Sequence, residues 1–578
     1  MGTISDKLMR IINTKEDIRQ ALISKGYDVP TSIPFKEYAK MISDLPCRVD
    51  SFPDIEGIVA RYSALGLTNE QMAENPVWKD LTDNGHDLQM KNLAWKGMSG
   101  VGGYVGDFSK WVNNRDTTEI GITKSNSKVI IDVKVSQGSG KNIVFISKSN
   151  LGISNNVTIK ITSTYPEGVM KFANSASNKY LKLPSNGIIT LQDNPEYTSN
   201  EMHLHLASAD LGQITIEQLP LYPGALVFDG VDDYGVCENF PILTKEKGYT
   251  VVALRQWDQD FLNTTLTGGL LSTRNYSTGE GVAFEKIESS NKGYWNLGAG
   301  GIIDFAKSPF TWQTSKQYNN VGILKGDKNH GKPLCVGCGL SGGQQCGRFA
   351  IWELVFLDHD ATEEELTKIK DYFVKTYPWL FPDQAWTVTG KTNEDEDRAT
   401  IANITGNGND LVLSNFGFIE GSGYNKEGEY AGYLVTDGMD DKITSSIFEM
   451  GNDWTVIGDW ELINTGKKDN AGIVKFDSIV IYNYNPILIN IKNGRNNLIP
   501  DQNTVNAICS DGRIYSKDWK ESIYNEETES TSKNFLTIGY SGNSYTKIAF
   551  KNLAIYPTVL SKEDCIKAYN YLQTLKAK

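Results

Sequence analysis

The sequence predicts a mainly β protein, made of tandem antiparallel β-sandwiches of jelly-roll type with a small helical domain at the amino terminus. Three observations carry that prediction. From about residue 105 onward, short segments alternate apolar and polar side chains, with Asn, Gly and Ser turns between them. Few helical signals separate these segments, which favours antiparallel sandwiches over a parallel sheet. The chain also matches itself, with one set of turn and strand signals between residues 84 and 356 and a second between 407 and 555.

At 578 residues the chain should hold about three to five domains. Its 54 Gly and 18 Pro are ordinary globular usage, which excludes a collagen-like or low-complexity stalk. Against 70 acidic side chains stand 57 basic ones, a net charge of −13 with no Lys/Arg run, so nucleic acid is not an expected partner. No apolar stretch reaches the roughly 18 residues of a membrane span, and the first thirty residues hold no signal-peptide core. The expectation is a chain made and retained in a cytoplasm, without membrane insertion. Seven cysteines, Cys47, Cys237, Cys335, Cys338, Cys346, Cys509 and Cys565, are odd in number and sparse, which predicts free thiols rather than a disulfide framework.

The first element is a short helix capped at Thr14, with Asp17 three residues on and a stop at Gly26. Pro34 opens a second, with Phe35, Tyr38, Ala39, Ile42 and Leu45 at helical spacing. Two helices cannot bury a core alone. Residues 1–46 are therefore expected to dock on the following domain or on a partner protein.

Strands follow. Ser127–Ser136, Val157–Thr164, Gly187–Gln192, Met202–Ser208 and Ile214–Leu219 alternate as half-buried strands do. Around them lies the repeat. Asn84-Gly-His-Asp87-Leu88 matches Asn407-Gly-Asn-Asp410-Leu411, and Phe228-Asp-Gly-Val-Asp-Asp-Tyr234 matches Thr436-Asp-Gly-Met-Asp-Asp-Lys442. Arg348–Phe356 aligns without a gap on Lys547–Ile555, and each then enters a capped helix, at Thr362–Glu365 and at Ser561–Asp564. Gly85 and Gly230 are 145 positions apart, whereas Gly408 and Gly438 are 30 apart, so the first copy carries about 115 extra residues. That surplus is an inserted domain at 105–221, tolerated because its ends can meet at the surface of its host.

The order of an Asn-Gly-x-Asp strand, an acidic turn and a closing strand with a capped helix resembles the concanavalin A-like, laminin-G-like lectin sandwich. The resemblance covers 55–104 with 222–380, and again 384–578. It implies a carbohydrate-binding-module-like reading for the insertion. Thr14–Ile18 and Ile33–Ile42 are similar to the amino-terminal domain of phage tail and fibre proteins. Asn75–Gly85, with Gly97–Gly103 after it, resembles modular appendage proteins encoded by phages of gut bacteria. These resemblances imply a virion location, assembly in the host cytoplasm, attachment to other virion proteins through 1–46, and a homo-oligomer with a trimer favoured.

Candidate sites divide by chemistry. Asp229, Asp232 and Asp233, and their counterparts Asp437, Asp440 and Asp441, could offer oxygens to calcium, but Asp-Gly is also a common hairpin signal and three acids fall short of calcium's six or more ligands. His330, Cys335, Cys338 and Cys346 could ligate a structural zinc; free thiols are the plainer reading. Among sixty aromatic residues, mostly core, Trp257, Tyr276, Trp295, Tyr482 and Tyr484 fall in loop-rich stretches where a glycan could stack on them. Trp352 should face outward or meet an interface, because its counterpart is Lys551. No pair of acids stands out as the two carboxylates of a glycosidase, and Gly339-Leu-Ser341-Gly-Gly343 runs toward a strand rather than a helix. The expectation is a non-enzymatic virion appendage, a tail or head fibre that binds host-surface polysaccharide and needs no cofactor, with calcium the alternative. A purely structural decoration protein and a capsular polysaccharide depolymerase are the rivals.

Overall fold

The computed structural model describes Lys15, Arg19 and residues 52–577, apart from 114–117, 137–138, 147–156, 175–179, 192–201, 209, 244–247, 263, 274–282, 287–291, 296–301, 305–332, 341–343, 429, 464–471, 477–478, 483–486, 492–496, 500–504, 524–535 and 542–543. The chain divides into two compact units, Met1–Glu56 with Thr362–Thr376, and Gly57–Ala361 with Tyr377–Lys578. In the first, helix Glu363–Thr376 begins at a reciprocal cap. Thr362 N and Oγ1 donate to the Glu365 carboxylate at 2.8 Å each, and Glu365 N donates back to Thr362 Oγ1. Phe52 meets Tyr372 of this helix edge to face at 5.0 Å. Lys15 and Arg19 are helical, in the first predicted helix; the rest of 1–46 lies outside the described residues.

The larger unit is mainly β and, among the described residues, holds three large apolar cores beside two small clusters. In the first repeat, Ile58–Ser63, Arg348–Leu357, Leu226–Asp229 and Gly100–Val101 form one sheet in that order, with Thr250–Trp257 also paired to Arg348–Leu357. A second sheet runs from Val77–Trp78 through Leu88–Lys91, Tyr234–Cys237, Leu334–Val336 and Gly268–Ser272 to Ala283–Lys286, Lys292–Trp295 and Ile302–Asp304. The second repeat has the same order, with Val505–Cys509, Arg513–Ser516 and Glu521–Ile523 added in turn beyond Thr455–Leu462. Gln384–Thr387, Ile548–Tyr556, Leu434–Val435, Gly423–Tyr424 and Thr455–Leu462 stand for the first sheet. Thr400–Ile401, Leu411–Ser414, Lys442–Ser445, Thr537–Ile538, Gly472–Phe476, Ile479–Tyr482, Ile487–Ile491 and Asn497–Ile499 stand for the second.

The local chemistry repeats as closely as the topology. Asn69 exchanges two hydrogen bonds with the backbone of Val101 (3.1 and 2.8 Å), and Asn393 does the same with Tyr424 (3.0 and 2.8 Å). Each clamp leaves no room for a side chain on the preceding residue. A Cβ at Gly100 would lie 2.5 Å from Asn69 Oδ1, one at Gly423 2.5 Å from Asn393 Oδ1, and both have positive φ (135° and 155°).

Between Gly100–Val101 and Leu226–Asp229, which pair directly, the chain departs into the inserted sandwich. The ends of the insertion are tied by Tyr222 N donating to Gly102 O and Gly102 N to Ala225 O, both at 2.8 Å. All five alternating segments are strands here. Val129, Ile131, Val157, Ile159, Leu204, Leu206, Ile214 and Ile216 point into one core between two five-stranded sheets.

Helix Lys562–Leu572 starts at Ser561, whose Oγ accepts from Asp564 N, and lies on the outer sheet of the second repeat. Its Tyr571 reaches the first repeat and meets Trp352 edge to face at 6.0 Å. Trp352 is buried, with its Nε1 donating to Pro223 O at 2.9 Å and its ring beside Tyr222. Gln256 Nε2 donates to Thr574 Oγ1 (3.1 Å), a second tie between the repeats, and Asn570 Nδ2 donates to Pro220 O (3.4 Å) at the end of the insertion.

One expectation needs correction. Cys338–Leu340 and Gln344–Cys346 form a hairpin that sets Cys338 directly opposite Cys346, and the two are joined in a disulfide. Sparse cysteines gave no sign of it, because the pairing depends on hairpin register. Cys237, Cys335, Cys509 and Cys565 are buried and outside the disulfide.

Trp352→Ala should destabilise the protein by about 3 to 5 kcal/mol, the cost of emptying a large aromatic site that cannot collapse. Denaturant unfolding followed by circular dichroism measures it; an unchanged midpoint would show that the junction contributes nothing.

Candidate functional site: a cleft between the repeated sandwiches

The acidic turns come out as matched pairs. In the first, Asp233 Oδ2 accepts from Asp229 N (2.9 Å), Asp233 Oδ1 from Ser99 Oγ (3.0 Å), and Asp229 Oδ1 from Val231 N (2.7 Å). In the second, Asp441 accepts from Asp437 N (2.7 Å) and Ser422 Oγ (3.1 Å), and Asp437 Oδ1 from Met439 N (2.7 Å). Asn92 and Asn415, both in the left-handed region, donate to Asp232 O and Asp440 O. One oxygen of each acid lies within 4.8 Å of the others in either turn. Both oxygens of Asp233 and Asp441 already serve donors of the turn, and calcium asks for six to eight ligands. The arrangement accounts for these acids as turn formers. Burial pushes the carboxyls of Asp233 and Asp441 up to about 6, with neighbouring acids adding to it and the backbone donors opposing.

The zinc set does not assemble. Cys338 and Cys346 are spent in the disulfide and cannot act as thiolates, and His330 lies outside the described residues. Burial pushes the thiol of Cys335 up to about 12, against thiolate formation.

Of the aromatic candidates, Trp257 is 1% exposed. It ends strand Thr250–Trp257 facing inward, stacked on Phe261 at 5.9 Å and tilted against Phe349 at 5.4 Å, so it is core rather than a glycan platform. Trp295 and Tyr482 also lie on strands and not in loops, opposite Phe284 and Gly472 respectively. Tyr276 and Tyr484 lie outside the described residues.

What the fold does build is a cavity of about 460 Å³ where the two repeats meet. Its first wall is Asp258–Asp260, just beyond strand Thr250–Trp257, with Arg348 and Tyr222. Asp258 Oδ1 accepts from Phe261 N (2.8 Å), which caps the turn, and its other oxygen is 3.5 Å from Arg348 Nε. Lys576 pairs with Asp260. The second wall is Thr389–Lys391, Tyr424–Asn425, Tyr433 and Lys551. Ala577 N donates to Thr389 O (2.8 Å), so the chain end closes one side. Lys391, its side chain 3% exposed, pairs with Asp397 at 2.6 Å. Thr389 Oγ1 is buried with no hydrogen-bond partner.

Lys551 stands in the cleft because of a β-bulge. Strand Ile548–Tyr556 pairs Phe550 with Trp460 and Asn552 with Asp459, which skips Lys551. The first repeat skips Trp352 in the same way, between Ile351 opposite Arg255 and Glu353 opposite Leu254. Lys551 Nζ lies 5.6 Å from the centre of the Tyr433 ring, and Tyr433 OH donates to Asp459 Oδ1 at 3.0 Å. Burial draws the Lys551 ammonium below the ordinary lysine range, with Asp459 opposing. Sequence reasoning missed these residues, which are scattered from Tyr222 to Lys576. The single signal was the mismatch of Trp352 with Lys551 between the repeats.

No family model matches the chain, and no curated protein does. Among solved structures it is similar to the botulinum neurotoxin serotype D binding domain (10% identity, 59% of this chain and 88% of that one, TM-score 0.24). A ligand binding domain of the same serotype, in complex with N-acetylneuraminic acid, gives 9%, 68%, 96% and 0.26. Trypanosoma rangeli sialidase gives 6%, 78%, 62% and 0.25. Likenesses this slight carry no argument about ligand or activity; the β-sandwich assignment stands on the strand order itself.

Two outcomes follow from the turns. A folded-state carboxyl near 6 against an unfolded one near 4 stabilises the fold fully below about pH 4 and loses that contribution as pH rises through 6. The double variant Asp233→Asn, Asp441→Asn lacks this loss, so its melting temperature relative to wild type should climb between pH 4 and 7; a constant difference would contradict the assignment. Millimolar calcium should leave the melting temperature unchanged, because the oxygens of Asp233 and Asp441 already serve donors of the turn; a rise abolished by the same two substitutions would establish calcium ligation instead.

Proposed function

We propose that this chain is a glycan-binding virion appendage, a tail or head fibre, with the cleft between its repeated sandwiches as the saccharide site. The observation that carries the reading is the cleft. It combines Tyr433, Tyr424 and Tyr222 with Asn425, Thr389 and a ring of charges in one cavity of about 460 Å³. That volume is in the range of small-molecule sites. The three tyrosines are buried and shape the floor of the cleft, while the amide, hydroxyl and charged groups around them suit the rim of hydroxyls that a saccharide offers. Attachment to other virion proteins through 1–46, the host-surface polysaccharide as ligand and a homotrimeric state rest on the resemblances of Thr14–Ile42 and Asn75–Gly103 to phage proteins.

Binding without cleavage is the favoured form of this reading. Asp258 and Asp260 already hold cationic partners in Arg348 and Lys576, whereas glycoside hydrolysis needs one carboxyl kept as an acid.

A glycan array should give hits that Tyr433→Ala, folded by circular dichroism, weakens at least about tenfold, the loss of one ring contact with its hydrogen bond. No hits, with the protein present in purified particles by cryo-electron microscopy, would leave the structural decoration role. Shortening of capsular polysaccharide on incubation would favour the depolymerase.

A further inference from the structure

Four cations line the cleft, and three of them are neutralised where they stand. Arg348 faces Asp258, Lys576 faces Asp260, and Lys391 is paired with Asp397. Lys551 differs. Among the described residues it has no carboxylate within 4.0 Å, and Asp459, the acid nearest in effect, already accepts from Tyr433 OH. Lys551 sits at the bulge, and its ammonium lies over the Tyr433 ring. Lys551 is half-buried, and drawing a cation partly out of water is costly, so an anion entering beside it recovers solvation that the fold has taken away.

We propose that the cleft selects saccharides that carry a carboxylate, and that the Lys551 ammonium receives it. This deepens the glycan-binding reading and rests on it. The geometry assigns complementary parts: the carboxylate accepts from Lys551 Nζ, and the Tyr433 ring stays beneath the ammonium. A neutral sugar would leave the half-buried Lys551 with only the more distant Asp459 to offset its charge, so selection works by withholding a partner from the wrong ligand as well as by attraction to the right one. The repeats explain why one such site forms. At the same bulge the first copy has Trp352, which fills the junction against Tyr571 and Tyr222.

The test uses the full chain on an array of neutral, sialylated and hexuronate-bearing glycans, followed by titration of the strongest acidic hit and of its carboxyl-reduced form. The expected result is preference for acidic glycans and at least about tenfold weaker binding after carboxyl reduction, in line with a charge-assisted hydrogen bond. Lys551→Met should remove that difference, and Lys551→Arg should keep part of it; melting temperatures establish that both variants are folded. Equal binding of neutral and acidic glycans, or Lys551→Met without effect on the ratio, overturns the carboxylate assignment and leaves glycan binding standing. Absence of binding to every glycan overturns both.

Discussion

A residue skipped by the pairing of the closing strand has to leave the sandwich, and both the junction and the cleft depend on what that residue is. The two closing strands carry the same bulge, at Trp352 and at Lys551. Each bulged residue is skipped on one side only, since its carbonyl still accepts from Ala64 N or Val388 N on the other, and the skip locally breaks the alternation around its side chain. In the first repeat the side chain is a large apolar ring, and the favourable outcome is burial. Trp352 takes the carboxy-terminal helix of the second repeat as its cover through Tyr571. In the second repeat the side chain is a cation, which cannot be sealed into an apolar junction without a counter-ion. There the packing stops and a cavity begins.

The rest of the repeat is held by hydrogen bonds that are indifferent to this divergence. Asn69 and Asn393 clamp the strand after a glycine, Asn92 and Asn415 fasten the acidic turns, and Ser99 and Ser422 reach the buried carboxyl of each. These bonds lie within one sandwich and fix its turns. They keep the two copies alike in backbone while their outer faces go different ways. Asp229, Asp233, Asp437 and Asp441 spend carboxylate oxygens on this scaffold.

The strands were legible to a large degree. Alternation in Lys128–Val133, Val157–Ser163 and Gly212–Gln218 follows from a sheet with one face on a core, and repetition of the closing strand and its capped helix marked both copies. The spacing difference also located the insertion, because a domain leaving between two paired strands lengthens only that interval. The site was less legible. Trp257 read as accessible because loop-like residues follow it, yet its strand turns it inward onto Phe261 and Phe349. Cys338 and Cys346 read as thiols because spacing alone does not reveal a hairpin register.

The sequence by itself determined the fold class, the repeat, the insertion and the chemistry of the turns, since each is set by neighbours within a few positions or by alternation along one strand. Tertiary structure alone decided the rest: that Trp352 seals a junction, that Lys551 faces a cavity without a paired acid, and that Asp258, Thr389, Tyr433 and Lys576 share it. These residues are brought together by the packing of two sandwiches through one helix, and contact between surfaces far apart in the chain leaves no periodic trace along it.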